Sequence, residues 1–138
     1  MFSRILVAVD GSISAKKAFE SSIFLSQKCN SKLTIVHVIP CEFAGDSATT
    51  FELISELKTK GEEVLEECKK EATKNNISVE LMLESGDPAR VIIEITNNKN
   101  YDLIIIGTRG KSVFQELLLG SVALKVIHHA RCPVMIVR

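Results

Sequence analysis

The sequence predicts an open α/β fold, a single domain built on one five-stranded parallel sheet with helices on both faces. Three observations predict it. Apolar runs alternate with helix-periodic stretches along all 138 residues. The runs Ile5-Leu6-Val7-Ala8-Val9 and 103–106 are continuous rather than alternating, as strands covered on both faces are. The stretch 107–121, GTRGKSVFQELLLGS, opens with glycine where the second of these runs ends and closes on Gly-Ser where a helix begins. Apolar strands joined by helices require parallel crossovers, which are right-handed as a rule.

The elements follow in order. After the first strand, Asp10-Gly11-Ser12 is a turn. A helix over 14–29 follows, capped by Ser14 or Ser12, with Ala15, Ala18, Phe19, Ser22, Leu25 and Cys29 on one face. The second strand covers 33–39 and Pro40 stops it. Residues 41–50 read as a loop of small and polar residues. A long helix over 50–75 has Phe51, Ile54, Leu57, Gly61, Val64, Leu65 and Cys68 as its inner stripe, and a Glu/Lys face that reads as solvated surface. The third strand is 78–83, with Val79, Leu81 and Leu83 alternating. Gly86-Asp87-Pro88 is a turn that sets Pro88 in the first turn of the next helix. That helix runs to about residue 97, with Ala89, Ile92, Ile93 and Thr96 inward. The fourth strand is 103–106, the last helix 121–130, and the fifth strand 134–137 after Pro133.

Composition narrows the function. A chain of 138 residues fits one compact domain over 1–138 and buries about 70% of its unfolded surface, enough for a core without staples. Seventeen Lys+Arg balance 17 Asp+Glu, which argues against nucleic acid or an anionic membrane as partner. Cys29, Cys41, Cys68 and Cys132 form no CxxC pair and read as small buried hydrophobes in a reducing compartment. The opening MFSRILVAVDGS has no charged leader ahead of a long apolar core, and no apolar run approaches the ~20 residues that span a bilayer. The expectation is a soluble, cytoplasmic protein.

The chemistry concentrates at G-x2-G-x9-G-S. Glycine lets backbone N–H groups approach an anion with no Cβ in the way. The helix start after Gly120 adds unpaired donors and a partial positive charge. Amides near Gly110, Ser121 and Val122 can hold phosphate oxygens, the Ser121 hydroxyl can donate to them, and Arg109 and Lys111 bring positive charge. Ligands of open α/β sheets bind outside the carboxyl ends of the strands, where the strand order reverses. If the first and fourth strands are neighbours there, Asp10 lines the same crevice and can accept from ribose hydroxyls. The Val38 backbone can pair with an adenine edge, with Val9 and Val38 flanking the base. Each role has a plainer rival. Asp10 can serve only to organise the turn or cap the helix, Gly120-Ser121 can be a tight capped entry, and Arg109 and Lys111 can be solvated charges. His37 reads as a hydrogen-bonded core or rim histidine. His128 and His129 sit in a last helical turn, where cations are favoured, and adjacent helical residues point apart, which disfavours a metal.

Other site patterns are missing. There is no GxxxxGK[ST] loop, no GxGxxG after the first strand and no GxSxG elbow. No Ser/His/Asp set, Cys/His set or paired-carboxylate site stands out.

The spacing G-x2-G-x9-G-S, the opening ILVAVDGS and the segment DLIIIGTRG…LLLGSVALKVIHHARCPVMIV resemble the universal stress protein family, and the similarity covers the whole chain. The resemblance implies a Rossmann-like, adenine nucleotide alpha hydrolase-like fold with strand order 3-2-1-4-5. Members with the intact glycine motif bind ATP, and many are dimers. By position it implies ligand contacts at Ala8, Val9 and Asp10 after the first strand, at Val38 after the second, and at Gly107, Arg109, Gly110, Gly120, Ser121 and Val122 in the cradle. The ligand expected is ATP, AMP or ADP. A triphosphate usually arrives with Mg2+, for which Asp10 is the one candidate ligand. In that strand order Val134, Met135, Ile136 and Val137 form a sheet edge with no charge or proline to block pairing, so a homodimer through the fifth strand is expected. The expected function is a dimeric nucleotide-binding stress sensor or signalling module rather than an efficient enzyme. The alternatives are a slow ATP hydrolase or phosphotransfer protein, and an interaction scaffold without nucleotide.

Overall fold

Strands β1 (Arg4–Ala8), β2 (Lys32–Pro40), β3 (Val79–Gly86), β4 (Leu103–Gly107) and β5 (Val134–Val137) form one parallel sheet in order β3-β2-β1-β4-β5. The coordinates are a computed structural model, which describes residues 1–41, 48–108 and 119–138. Helices α1 (Ile13–Cys29), α2 (Ala48–Lys74), α3 (Pro88–Asn98) and α4 (Ser121–His129) connect the strands in turn. The expected order and fold class stand. Among the described residues no helix is long and apolar enough to cross a membrane.

Two cores explain the layering. Ile5 and Val7 of β1, Leu33 and Ile35 of β2, and Leu103 and Ile105 of β4 face α1 and α2, which supply Ala18, Phe19, Ile23, Leu65, Cys68 and Ala72. The alternate residues Leu6, Val36, Ile104 and Ile106 face α3 and α4, which supply Val91, Ile92, Ile95, Ala123 and Val126. Right-handed crossovers demand this division, because the chain moves one way across the sheet from β1 to β3 and the other way from β4 to β5. Ile5, Leu6, Ile104 and Ile105 are wholly buried. Each such side chain contributes roughly 1.5–3 kcal/mol, so the central pair β1–β4 anchors the domain.

The amino ends of those two strands are also pinned by polar contacts. Asp102 accepts from the amide and hydroxyl of Ser3 at 2.8 and 2.9 Å and from the Arg4 amide at 3.0 Å. Tyr101 donates to Thr34 Oγ1 at 2.8 Å in the buried interior, and the Arg4 guanidinium lies 4.8 Å from the Tyr101 ring centre.

Several expectations need correction. Phe51 is 76% exposed, so the inner stripe of α2 begins later and runs through Gly61, Leu65 and Cys68 to Ala72. Ile54 and Leu57 are only half-buried, so the fully buried part of the stripe lies in the second half of this 27-residue helix. On α1 the buried positions include Ile23 and Ser26, whereas Leu25 and Cys29 are half-buried. On α3 they are Ala89, Val91, Ile92, Ile95 and Thr96, with Ile93 at the margin. Strand β3 runs three residues beyond the alternating pattern, because Glu84, Ser85 and Gly86 still pair with Val38, Ile39 and Pro40 of β2. Of the four free cysteines only Cys68 is buried. The first six residues after Cys41, within the expected loop, lie outside the described residues, and residues 48–50 are helical.

Candidate functional site

The strand order reverses between β1 and β4, paired through Ile5↔Leu103, Leu6↔Ile104 and Val7↔Ile105. The expected adjacency holds, so their carboxyl ends lie side by side, where open α/β sheets take ligands, with Asp10 beyond β1 and Gly107 at the end of β4.

Local chemistry builds the β1 side. Asp10 Oδ1 accepts the Ser12 amide at 2.9 Å, closing a turn that needs Gly11 at φ +83°. Ser12 then caps α1, its hydroxyl accepting from the Ala15 amide at 3.2 Å. The turn-organising role of Asp10 is thus real, and the cap is Ser12 rather than Ser14.

Gly107 has a packing reason of its own. A Cβ there would lie 2.5 Å from Ser14 Oγ, 2.7 Å from the Ser14 carbonyl carbon and 2.9 Å from the Ala15 amide nitrogen. The missing side chain lets the first turn of α1 close on β4, so what Gly107 can offer a ligand is its backbone. Thr108, only 6% exposed, donates its amide to Val137 at 2.9 Å and accepts the Gly120 amide at 2.5 Å. Residues 108 and 120 therefore meet at one point, and α4 begins directly beside the end of β4. Sequence reasoning missed Thr108; its signal is a hydroxyl lying between two motif glycines.

Helix α4 starts at Ser121 with Gly120 as its cap, at φ −69° and ψ 160°, and the cap makes no side-chain hydrogen bond. No acidic residue stands in its first turn. By contrast Ser12 and Asp87 cap α1 and α3 with their side chains. Ser121 is exposed and Val122 half-buried, while Ala123 and Val126 seat the helix on the sheet. The early amides of α4 thus present donors and a partial positive charge toward an anion. Arg109, Gly110 and Lys111 fall outside the described residues.

Ala8, Val9 and Val38 lie at the same end of the sheet. The Val9 amide donates to the Val36 carbonyl at 2.9 Å, and the Val9 carbonyl accepts from His37 Nδ1 at 2.8 Å. His37 is the hydrogen-bonded rim residue expected. Alternation along β2 turns the Val38 peptide groups to the same side as those of Val36, past the end of β1 at Ala8. Val9 packs in the core under α1 and α2, whereas Val38, at 9% exposure, packs in the core under α3 and α4. Their side chains lie on opposite faces of the sheet, so what this pair turns to the crevice is peptide groups. Among the described residues no three His, Cys, Asp or Glu side chains gather to hold a metal.

A family model described as the universal stress protein family matches residues 1–138. Universal stress protein YxiE of Bacillus subtilis (strain 168) is 34% identical over 148 residues, covering 100% of both chains. The structure of universal stress protein UspA from Lactobacillus plantarum superposes with TM-score 0.93 at 22% identity, over 99% of this chain and 98% of that one. A universal stress protein family protein from Arabidopsis thaliana, solved with AMP bound, superposes with TM-score 0.74 at 25% identity, over 98% and 90% of the two chains.

Proposed function

The chain belongs to the universal stress protein family, and from that premise we propose that it is an adenine-nucleotide-binding protein that works as a dimeric sensor or signalling module in the cytoplasm, without efficient turnover. One observation carries the reading. The first amides of α4 carry no side-chain cap and begin where the Gly120 amide meets Thr108, at the end of β4 and at the same end of the sheet as Asp10. Those residues fit a phosphate group. Ser121 and Val122 amides and the Ser121 hydroxyl hold the phosphates, with Gly107, Arg109 and Gly110 completing the cradle. Asp10 takes the ribose, and the peptides of Ala8, Val9 and Val38 border the base. The relative solved with AMP supports an adenine nucleotide as the class of ligand. ATP brings its own Mg2+, and Asp10 is the carboxylate we assign to approach it.

The dimer rests on β5. Val134 and Ile136 pack toward one core and Met135 and Val137 toward the other, so the strand's side chains are engaged while its outer backbone edge borders no further strand of this sheet. A second copy pairing there by two-fold symmetry closes both edges.

The test is calorimetric titration with ATP, analysis of the copurifying nucleotide over hours, and sedimentation at micromolar protein. Tight binding of intact nucleotide by a dimer is expected. Steady release of ADP or AMP would make the protein a slow hydrolase. No heat at millimolar ATP would reduce it to a scaffold, and a monomer would remove the β5 contact.

A further inference from the structure

We propose that His37 and Gly61 are positioning residues for the nucleotide site, holding the Val9–Asp10 peptide in place from beneath helix α2. The proposal rests on the reading of the crevice as a nucleotide site, and deepens it.

The geometry has two halves. His37 Nδ1 lies 2.8 Å from the Val9 carbonyl oxygen. A carbonyl can only accept, so Nδ1 carries the proton and donates. Val9 is therefore tied to β2 twice, by its amide to the Val36 carbonyl and by its carbonyl to the imidazole. The first bond is an ordinary ladder rung. The second replaces backbone pairing by a side chain, just where β1 ends and the crevice begins. The Val9 carbonyl and the Asp10 amide share one rigid plane and point in opposite directions across it. Fixing the oxygen fixes the direction of the Asp10 N–H and the start of the Asp10-Gly11-Ser12 turn.

The other edge of the ring lies on α2. A Cβ on Gly61 would come 2.7 Å from His37 Cδ2, 3.1 Å from His37 Nε2 and 2.9 Å from Leu83 Cδ1. Glycine inside a helix costs stability, and here it stands at a buried position in the middle of 27 helical residues. The contact explains it: α2 lies against the imidazole and Leu83, and a side chain at 61 must displace the ring that bonds Val9, the Leu83 side chain or α2 itself. The seating of α2 is thereby linked to the peptide that carries Asp10.

The test compares Gly61→Ala, His37→Leu and His37→Asn with the wild type and with Lys60→Ala, an exposed neighbour on α2. Backbone amide spectra of the unliganded proteins are recorded, then ATP affinities and melting temperatures. Gly61→Ala and His37→Leu should move the Asp10 and Gly11 amide signals and weaken ATP by about fivefold or more, the range of coupling between positioned groups. His37→Asn, whose amide nitrogen reaches about where Nδ1 does, should restore both, and Lys60→Ala should change neither. The imidazole nitrogen spectrum should show the Nδ1–H tautomer. Lower melting temperatures with Asp10 and Gly11 signals and ATP affinity unmoved would overturn the proposal, as would an Nε2–H tautomer. If Gly61→Ala does not fold, the two His37 variants decide it. If the wild type binds no ATP, the nucleotide reading fails and the amide signals alone decide the positioning role.

Discussion

Gly107 and Ser14 occupy one another's space: the side chain that Gly107 lacks would sit 2.5 Å from the Ser14 hydroxyl oxygen and 2.7 Å from its carbonyl carbon. Backbone cannot yield as the tip of a flexible side chain can. Gly107→Ala should therefore destabilise the fold by about 1–3 kcal/mol, the cost of overpacking a tight contact. For a domain of this size that lowers the melting temperature by about 4 °C per kcal/mol. An unchanged melting curve would mean that α1 shifts freely on β4.

Gly120 obeys a different rule. Its φ of −69° and ψ of 160° are ordinary extended values that any residue adopts. Gly120→Val should fold and melt as the wild type does, while a β-branched side chain stands over the first amides of α4. ATP binding should be lost in calorimetry with the circular dichroism melt preserved. Retained affinity would place the phosphates elsewhere.

Asp102 links acid stability to the amino ends of β1 and β4. Burial alone would raise its carboxyl, but the hydrogen bonds from Arg4 and Ser3 outweigh that and hold it below the ordinary carboxylate value. A depressed value means the stabilisation is present above the unfolded carboxyl range, about 3.9, and is lost as pH falls through the folded one. Asp102→Ala should cost about 1 kcal/mol at pH 7, a figure kept low because the carboxylate faces solvent. Denaturant unfolding should show the gap between the two proteins closing below about pH 4. A gap independent of pH would assign the cost to packing.

Cys68 answers at the other end of the scale. Burial on the inner face of α2, with Glu67 adjoining, pushes its thiol up from 9.0 to about 11. The raised value means its contribution is whole below pH 9.0 and declines as pH climbs toward about 11. At neutral pH the thiol stays protonated, and protein alkylated in its native state should carry label on half-buried Cys29 and Cys41 well before Cys68. Peptide mass mapping reads this directly. Equal labelling of Cys68 would show that α2 opens readily.

Most of the fold was legible because periodicity reports burial on both faces. Continuous runs such as 5–9 and 103–106 are unambiguous, and they became the central strands. Legibility failed where burial depends on what lies opposite. Phe51 fits the helical stripe of α2 but is 76% exposed, a difference that periodicity alone does not register. Glu84 and Ser85 fall outside the apolar alternation that ends at Leu83, yet an edge strand needs only a backbone ladder, and β2 supplies one. In the site, the glycine spacing marked where strand becomes helix. It did not separate the packing duty of Gly107 from the capping place of Gly120, since both positions ask only for a small residue.

The amino-acid sequence by itself determined the alternation of strands and helices, the two-sided burial of the central strands, and the place where α4 begins, at Gly120-Ser121. These are local properties, written in residue type and spacing. Only the tertiary structure decided that the Val9 and Val38 side chains part to opposite faces, that α1 fills the notch at Gly107, and that an imidazole from β2 takes the Val9 carbonyl just past the end of β1. Each is a contact between segments far apart in the chain, set by strand order and register, and no local pattern records which neighbour arrives.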